Sequence, residues 1–361
     1  MPRSAEELER PPTLRRPPLL LPFLKLPPPW TLERAREHCP PIAPVAGGSG
    51  ARPFWSVMIP AYNAGGYLRR TLRSVLSQDP GPGRMQIEVV DCGSTEDDPR
   101  VAVEEVGRDR VSFFRLDANR GAAHSFTTCV NRSRGKWVHI LHGDDMSGPG
   151  FYEGYEAVIE GNPEAGMVGG PATQIDEEDR VIGRYGPEPA GRSGLMPGFV
   201  ERQAVRQLLL FNAVVARREV YEAAGGFCTL FDHVCDWDMW FRLGLEAPVA
   251  WVDRPLALYR EHRGSDTSRQ RVTGANIRES YLMVESNLAR LREMDLPIPA
   301  TDWRADLAEQ ADGLCRTFRR LGRWDGAYHQ ARWAMMLEPR RWRLRIVAEA
   351  WLRYRLGGRP R

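Results

Sequence analysis

Trp55-Ser56-Val57-Met58-Ile59-Pro60-Ala61-Tyr62-Asn63 decides the fold class. The run from Trp55 to Ile59 has the length and near-continuous apolar character of a strand buried on both faces, and Pro60 follows it as a turn residue. Tyr67 to Leu76 then repeats apolar residues at helical spacing, so strand and helix together predict a βα unit. The alternation recurs, with Ile87 to Val90, Val111 to Leu116 and Trp137 to Leu141 predicted as strands and Asp98 to Val106 and Ala122 to Asn131 as helices. Repeated βα units predict a Rossmann-like α/β fold, a mostly parallel sheet flanked by helices, with ligands at the carboxyl ends of its strands. Those ends carry Pro60-Ala61-Tyr62-Asn63, Asp91-Cys92-Gly93-Ser94 and His142-Gly143-Asp144-Asp145.

Outward from this core the composition changes. Residues 1–50 hold 12 of the 29 prolines and end in Ala46-Gly47-Gly48-Ser49-Gly50, the composition of an extended arm and a hinge. Beyond Arg271 the alternation stops and helices are predicted over Asn276 to Met294, Asp302 to Leu321, Trp324 to Leu337 and Trp342 to Tyr354. The expected organisation is a Pro-rich N-terminal extension over 1–52, a catalytic domain over 53–270 and a C-terminal helical region over 271–361.

A net charge of +3 on 361 residues argues against a nucleic-acid partner. Of 50 basic residues only Lys25 and Lys136 are lysine, a skew that genome composition explains. Six cysteines without a CxxC pair suggest neither a zinc ribbon nor a disulfide framework, and fit a reducing, cytoplasmic compartment. Leu19 to Leu26 is too short and too interrupted for a signal h-region or a span, and no later apolar run reaches about 18 residues, so no transmembrane helix is expected. Residues 340–361 carry eight arginines and one glutamate with Trp342, Trp351 and Tyr354 among them. That mix suits a helix lying on an anionic membrane, and equally a solvated helix packed through its apolar stripe.

Three constellations carry chemistry. Asp91 at a strand end offers an acceptor for the imide N–H of a uracil ring, while Ser94 or Thr95 can cap the next helix. Asp144 and Asp145 repel each other at a strand exit, a repulsion that a divalent cation shared with diphosphate oxygens offsets; a solvated turn is the plainer reading. Asp236, in Asp236-Trp237-Asp238-Met239-Trp240-Phe241-Arg242, sits near a helix start whose dipole favours its ionised form. A dinucleotide-dependent dehydrogenase fails for want of a GxGxxG loop after the first strand.

The order Ile59-Pro60-Ala61-Tyr62-Asn63, Val90-Asp91-Cys92-Gly93-Ser94-Thr95, Asn119-Arg120-Gly121, Gly135-Lys136-Trp137 to Asp144-Asp145, Gly225-Gly226-Phe227, Asp236-Trp237-Asp238 and Tyr259-Arg260-Glu261-His262 closely resembles inverting family-2 glycosyltransferases of the GT-A fold, over about residues 54–270. The resemblance implies a nucleotide-sugar donor, most often a UDP-sugar, and a glycan or lipid-linked acceptor at the cytoplasmic membrane face. It implies donor binding by Pro60, Ala61, Tyr62, Asn63, Asp91, Gly93, Ser94, Asn119, Gly121 and Asp144, a Mg²⁺ or Mn²⁺ ion at Asp144, Asp145 and His262, and Asp236 as the base. Cys92 replaces the second aspartate of the commonest Asp-Asp-Gly-Ser form, His142 the first acid of Asp-x-Asp, Thr127 a frequent asparagine and Cys235 the glutamate before the base. The acceptor is expected over residues 174–211, where Gly183 to Gly198 suits a mobile loop. A non-catalytic binding or scaffold protein on the same fold is the alternative.

Overall fold

A computed structural model describes residues 37–45, 52–187, 191–262 and 264–356. Most of the Pro-rich arm, the centre of the 183–198 stretch and the last residues of the arginine-rich tail therefore lie outside the described residues.

The opening stretch forms β1 (Trp55–Ala61), buried at all seven positions. Helix α1 (Gly65–Leu76) packs Leu68, Thr71, Leu72 and Val75 inward, the three- and four-residue spacing that puts a single face on a sheet. Strand β2 (Met85–Asp91) runs parallel to β1, with Val57 opposite Ile87 and Ala61 opposite Asp91. The helix expected over 98–106 is one α turn, α2 (Pro99–Ala102), continued by a π turn over Val103–Gly107. Asp98 caps it by accepting the Arg100 N–H, and Pro99 takes the first helical position, where no N–H is needed. After β3 (Ser112–Arg115), α3 (Ala122–Arg132) leads to β4 (Trp137–Ile140), which pairs parallel with the other side of β1.

The chain continues through β5 (Met146–Ser147), α4 (Phe151–Gly161), β6 (Met167–Gly169), β7 (Ala172–Ile175), β8 (Val181–Tyr185), β9 (Gly194–Leu195), α5 (Phe199–Val205), β10 (Val214–Arg217), α6 (Arg218–Ala224), α7 (Cys235–Glu246), β11 (Val249–Trp251) and β12 (Ala257–Arg260). The main sheet has the order β3-β2-β1-β4-β10-β6-β11-β9, and a second sheet the order β5-β12-β7-β8. Strand β10 is antiparallel to both neighbours, so its amino end meets the carboxyl end of β4. That reversal delivers the residues just before β10 to the edge where the acidic turn after β4 lies. Trp55, Trp137, Tyr152 and Tyr155 anchor the core, with Trp55 meeting Tyr152 edge-on at 5.5 Å.

Five helices follow among the described residues: α8 (Asp266–Thr273), α9 (Ala275–Glu293), α10 (Trp303–Arg320), α11 (Trp324–Leu337) and α12 (Arg341–Arg355). Two compact units result, and residues 279–303 group with the sheet while 270–278 and 304–356 form the other. The second unit has its own small core around Phe318, Tyr328, Ala331 and Val347. Within it the Arg343 guanidinium is buried against Asp312 (2.7 Å) and Glu338 (2.7 Å). No helix among the described residues is long and apolar enough to cross a membrane.

Candidate active site

The carboxyl ends of β1 and β2 are laced into one turn. Asn63 adopts φ 49°, a left-handed conformation asparagine tolerates, and its Oδ1 accepts the N–H groups of Thr95 (2.9 Å) and Glu96 (3.1 Å). In return the Asn63 N–H donates to Ser94 Oγ at 2.9 Å. Asp91 is fully buried; its Oδ1 accepts the Ser94 N–H at 2.9 Å and its Oδ2 accepts Arg115 Nε at 2.5 Å. Both carboxylate oxygens of Asp91 thus have protein partners. Gly93 has φ 81°, and a Cβ there would lie 2.7 Å from the Asn119 backbone nitrogen, so only glycine lets the two turns touch. Asn119 Oδ1 accepts the Gly121 N–H at 2.9 Å and sets the entry to α3. Pro60, Ala61, Asn63, Gly93, Ser94, Asn119 and Gly121 are therefore brought together, with the Tyr62 side chain exposed beside them.

The acidic turn after β4 is tied to β1 by the Gly143 N–H, which donates to the Pro60 carbonyl at 3.0 Å. The buried Thr71 hydroxyl on α1 holds it from the other side, at 2.7 Å from the Asp145 carbonyl. Asp144 Oδ2 lies 2.9 Å from His262 Nε2. Asp145 Oδ1 accepts the Arg260 N–H at 2.8 Å, while Arg260 Nε donates to the Asp144 carbonyl at 2.8 Å. Burial and the neighbouring Asp144 charge push the Asp145 carboxyl well above the usual range. Burial works in the same direction on Asp144, but the neighbouring imidazoles, above all the His262 hydrogen bond, outweigh it and hold that carboxyl low.

The fit to a cation rests on unsatisfied atoms. Asp145 Oδ2 and His142 Nε2 are buried without a hydrogen-bond partner, and His142, Asp144 and Asp145 each present a ligand atom within 4.8 Å of the others. Burial pushes the His142 imidazole toward its neutral form, the form that ligates. Oxygen and imidazole donors of this kind suit Mg²⁺ or Mn²⁺. His142, read from the sequence only as a substitution for an acid, thus stands inside the cluster. His262, expected as a ligand, reaches it through Asp144.

Asp236 lies in the first turn of α7 and is only 8% exposed. Its Oδ1 accepts the Trp237 N–H at 2.7 Å and its Oδ2 accepts Gln207 Nε2 at 2.6 Å. Burial pushes its pKa up to about 7, against the lowering effect of the Trp237 N–H and of Gln207. Cys235 is buried beside it, so desolvation rather than a second carboxylate raises this acid. An aromatic wall runs from the acidic turn to the same helix. The His142 ring stacks on Phe126 at 5.2 Å and meets Phe211 at 4.5 Å, and Phe211 meets Trp240, one helical turn beyond Asp236, at 5.3 Å. Gln207 and Phe211 lie in the 174–211 stretch expected to meet the acceptor, but neither they nor Arg260 were singled out as binding or catalytic residues, and no periodicity marks the first two, which sit in the segment leading to β10.

Residues 56–217 match the family model described as glycosyl transferase family 2. An uncharacterized protein of Mycobacterium tuberculosis is 29% identical over 237 residues, covering 63% of this chain and 73% of its own. The chondroitin synthase of Escherichia coli is 23% identical over 242 residues, 66% of this chain and 33% of that longer one. Among solved structures, S. aureus TarS 1-349 in complex with UDP-GlcNAc superposes with a TM-score of 0.49 at 15% identity, over 85% of this chain and 93% of that one. The βα units of β1 to β4 and the laced turns lie inside the matched segment, so residues 56–217 are similar to a glycosyl transferase family 2 domain in sequence and in fold.

Proposed function

We propose that this chain transfers a sugar from a nucleoside diphosphate donor, a UDP-sugar, to a glycan or lipid-linked acceptor with inversion at the anomeric carbon, Asp236 serving as the general base. The observation that carries this reading is the Asp236 carboxyl, buried one helical turn before Trp240, which joins the aromatic wall reaching His142, and raised to about 7. A carboxylate of that basicity takes a proton from a hydroxyl more readily than an ordinary one at neutral pH. As Asp236 accepts the acceptor's proton, the hydroxyl oxygen attacks the anomeric carbon on the face opposite the diphosphate, which inverts it in one displacement without an enzyme-bound sugar.

Pro60, Ala61, Tyr62, Asn63, Gly93 and Ser94 would form the nucleoside side of the donor site. Asp91 would support it by holding the Ser94 turn, and Asn119 and Gly121 would close its other edge. His142, Asp144 and Asp145 would hold Mg²⁺ or Mn²⁺, with His262 orienting Asp144. When bound, that ion supplies Lewis-acid stabilisation of the departing diphosphate. The catalytic domain would be built on 53–270, between the Pro-rich extension (1–52) and the helical region (271–361), with residues 279–303 of that helical region belonging to the same compact unit as the sheet.

The helical region would meet the inner face of the plasma membrane. On α12 and the residue after it, Leu344, Ala348, Leu352 and Leu356 repeat every four residues and all are exposed, with Arg341 and Arg345 exposed beside them. An apolar stripe flanked by arginines suits an anionic lipid surface.

Thermal shift with UDP tests the donor site. UDP should raise Tm modestly alone and clearly more with Mn²⁺, and the metal-dependent part should vanish in Asp144→Ala. Equal shifts with and without Mn²⁺ in both proteins would remove the cation from the reading.

A further inference from the structure

The short segment 37–45 lies outside the matched family segment yet is stitched to the turn that precedes α7. The Gly226 N–H donates to the Pro40 carbonyl at 2.6 Å and the Thr229 N–H to the His38 carbonyl at 3.0 Å. These two bonds bracket Cys39 on one segment and Cys228 on the other. The two sulfurs and the Asp238 carboxylate lie within 4.8 Å of one another.

A cation is a poor occupant of this cluster. Both Asp238 oxygens already pair with guanidinium groups, Arg242 Nε at 2.8 Å and Arg290 Nη1 at 2.7 Å, and their positive charge disfavours a metal ion. The two guanidinium charges favour a thiolate and the Asp238 charge opposes it, with Arg242 the larger influence. We infer that Cys39 and Cys228 form a reversible disulfide, a redox site that fastens residues 37–45 to the Gly225-Gly226-Phe227 turn in front of the helix bearing Asp236.

Cys39 is the attacking sulfur. It is the only one of the six cysteines that is not buried. A hydrogen bond from Cys228 holds its pKa below that of an ordinary thiol; burial opposes this, and among the nearby charges Arg242 and Arg290 assist while Asp238 opposes. Cys92, Cys129, Cys235 and Cys315 are buried and pushed the other way by desolvation. A disulfide sulfur pair sits at about 2 Å, so closure needs movement of under about 3 Å, within reach of side-chain rotation on a partly exposed segment.

With a hydroperoxide as oxidant, the Cys39 thiolate attacks one peroxide oxygen. The O–O bond breaks, a sulfenic acid forms and the departing hydroxide or alkoxide takes up a proton. The Cys228 sulfur then attacks the Cys39 sulfur, the S–O bond breaks, and the hydroxide leaves as water with the Cys228 proton. Two thiols lose two electrons and the peroxide O–O bond gains them, so the step balances. In a reducing compartment such a bond is transient and reports oxidant.

The test uses the full chain, reduced and then freed of reductant. Graded hydrogen peroxide should remove two thiols per chain and produce a peptide linking Cys39 to Cys228 in non-reducing mass mapping. Reductant should restore both thiols, and the oxidised protein should show a higher Tm, because the bond closes a long loop of the unfolded chain. In Cys228→Ser, Cys39 should instead persist as a sulfenic acid that dimedone traps. Wild-type protein in which Cys39 advances to sulfinic acid, stays reduced, or links to a different cysteine or a second chain would overturn the inference.

Discussion

The first turn of α7 presents two carboxylates two residues apart to different surroundings. Asp236 meets one amide donor, Gln207, and its own helix backbone; Asp238 faces two arginines in a site with no solvent exposure. Burial acts on both. On Asp236 it prevails and the acid rises to about 7, whereas on Asp238 the Arg242 and Arg290 charges prevail and the acid falls. One helix therefore holds a proton acceptor and a fixed charge, and what separates them is the partner each side chain meets rather than its distance from the helix end.

The sharpest way to break that contrast is Asp236→Asn. It keeps the shape and accepts no proton, so transfer should fall by about 10² to 10⁴ while UDP binding survives, as read by nucleotide release and thermal shift. Near wild-type turnover would end the assignment. Asp238→Asn should act on stability, because it leaves two buried guanidinium groups without their counter-charge; a loss on the order of 3 kcal/mol in denaturant unfolding is expected.

The pH dependence sharpens the comparison further. A base must be ionised, so kcat/KM should fall as pH drops through an apparent pKa near 7. Gln207 favours the ionised form, so Gln207→Leu should move that limb to higher pH. Stability runs the opposite way. The folded value lies above the ordinary carboxyl value of 3.8, so the native state holds the proton more tightly and loses stability as pH rises from that value to about 7. Asp236→Asn should then match wild type in acid and exceed it above neutrality. The smallest effect concerns lipid: Arg345→Ala should weaken binding to anionic vesicles about fivefold and leave neutral vesicles unaffected.

The sequence was informative where local pattern and local chemistry coincide. The buried runs of β1, β2 and β4 and the helical spacing of α1, α3 and α9 to α12 could be read because each element buries a face that its own periodicity declares. The strand-end residues were legible because turns at strand ends use a small set of residue types. The antiparallel entry of β10 was not legible, since Val214 to Arg217 gives no direction and the reversal depends on which edge of β4 is open. For the same reason Gln207 and Phe211 carried no signal; they matter only once β10 brings them to the acidic turn. The helix over 98–106 was legible in extent but not in kind, because periodicity does not reveal where an α turn widens to a π turn. Asp91, read as a free acceptor, spends both oxygens on the turn itself, a use that depends on Arg115 arriving from β3.

The lacing of Asn63 to Ser94, Thr95 and Glu96 has a further consequence for how this edge fluctuates. The amides of Asn63, Thr95 and Glu96 are each shielded by a side-chain oxygen from the other turn, so none of the three can exchange its hydrogen for deuterium by fraying alone. Release of either loop exposes the amides of both, and their exchange rates should rise and fall together as one opening event. A ligand that clamps only the Asn63 side would slow exchange at Thr95 and Glu96 as well, so protection spreads from one loop to the other without any change in average position.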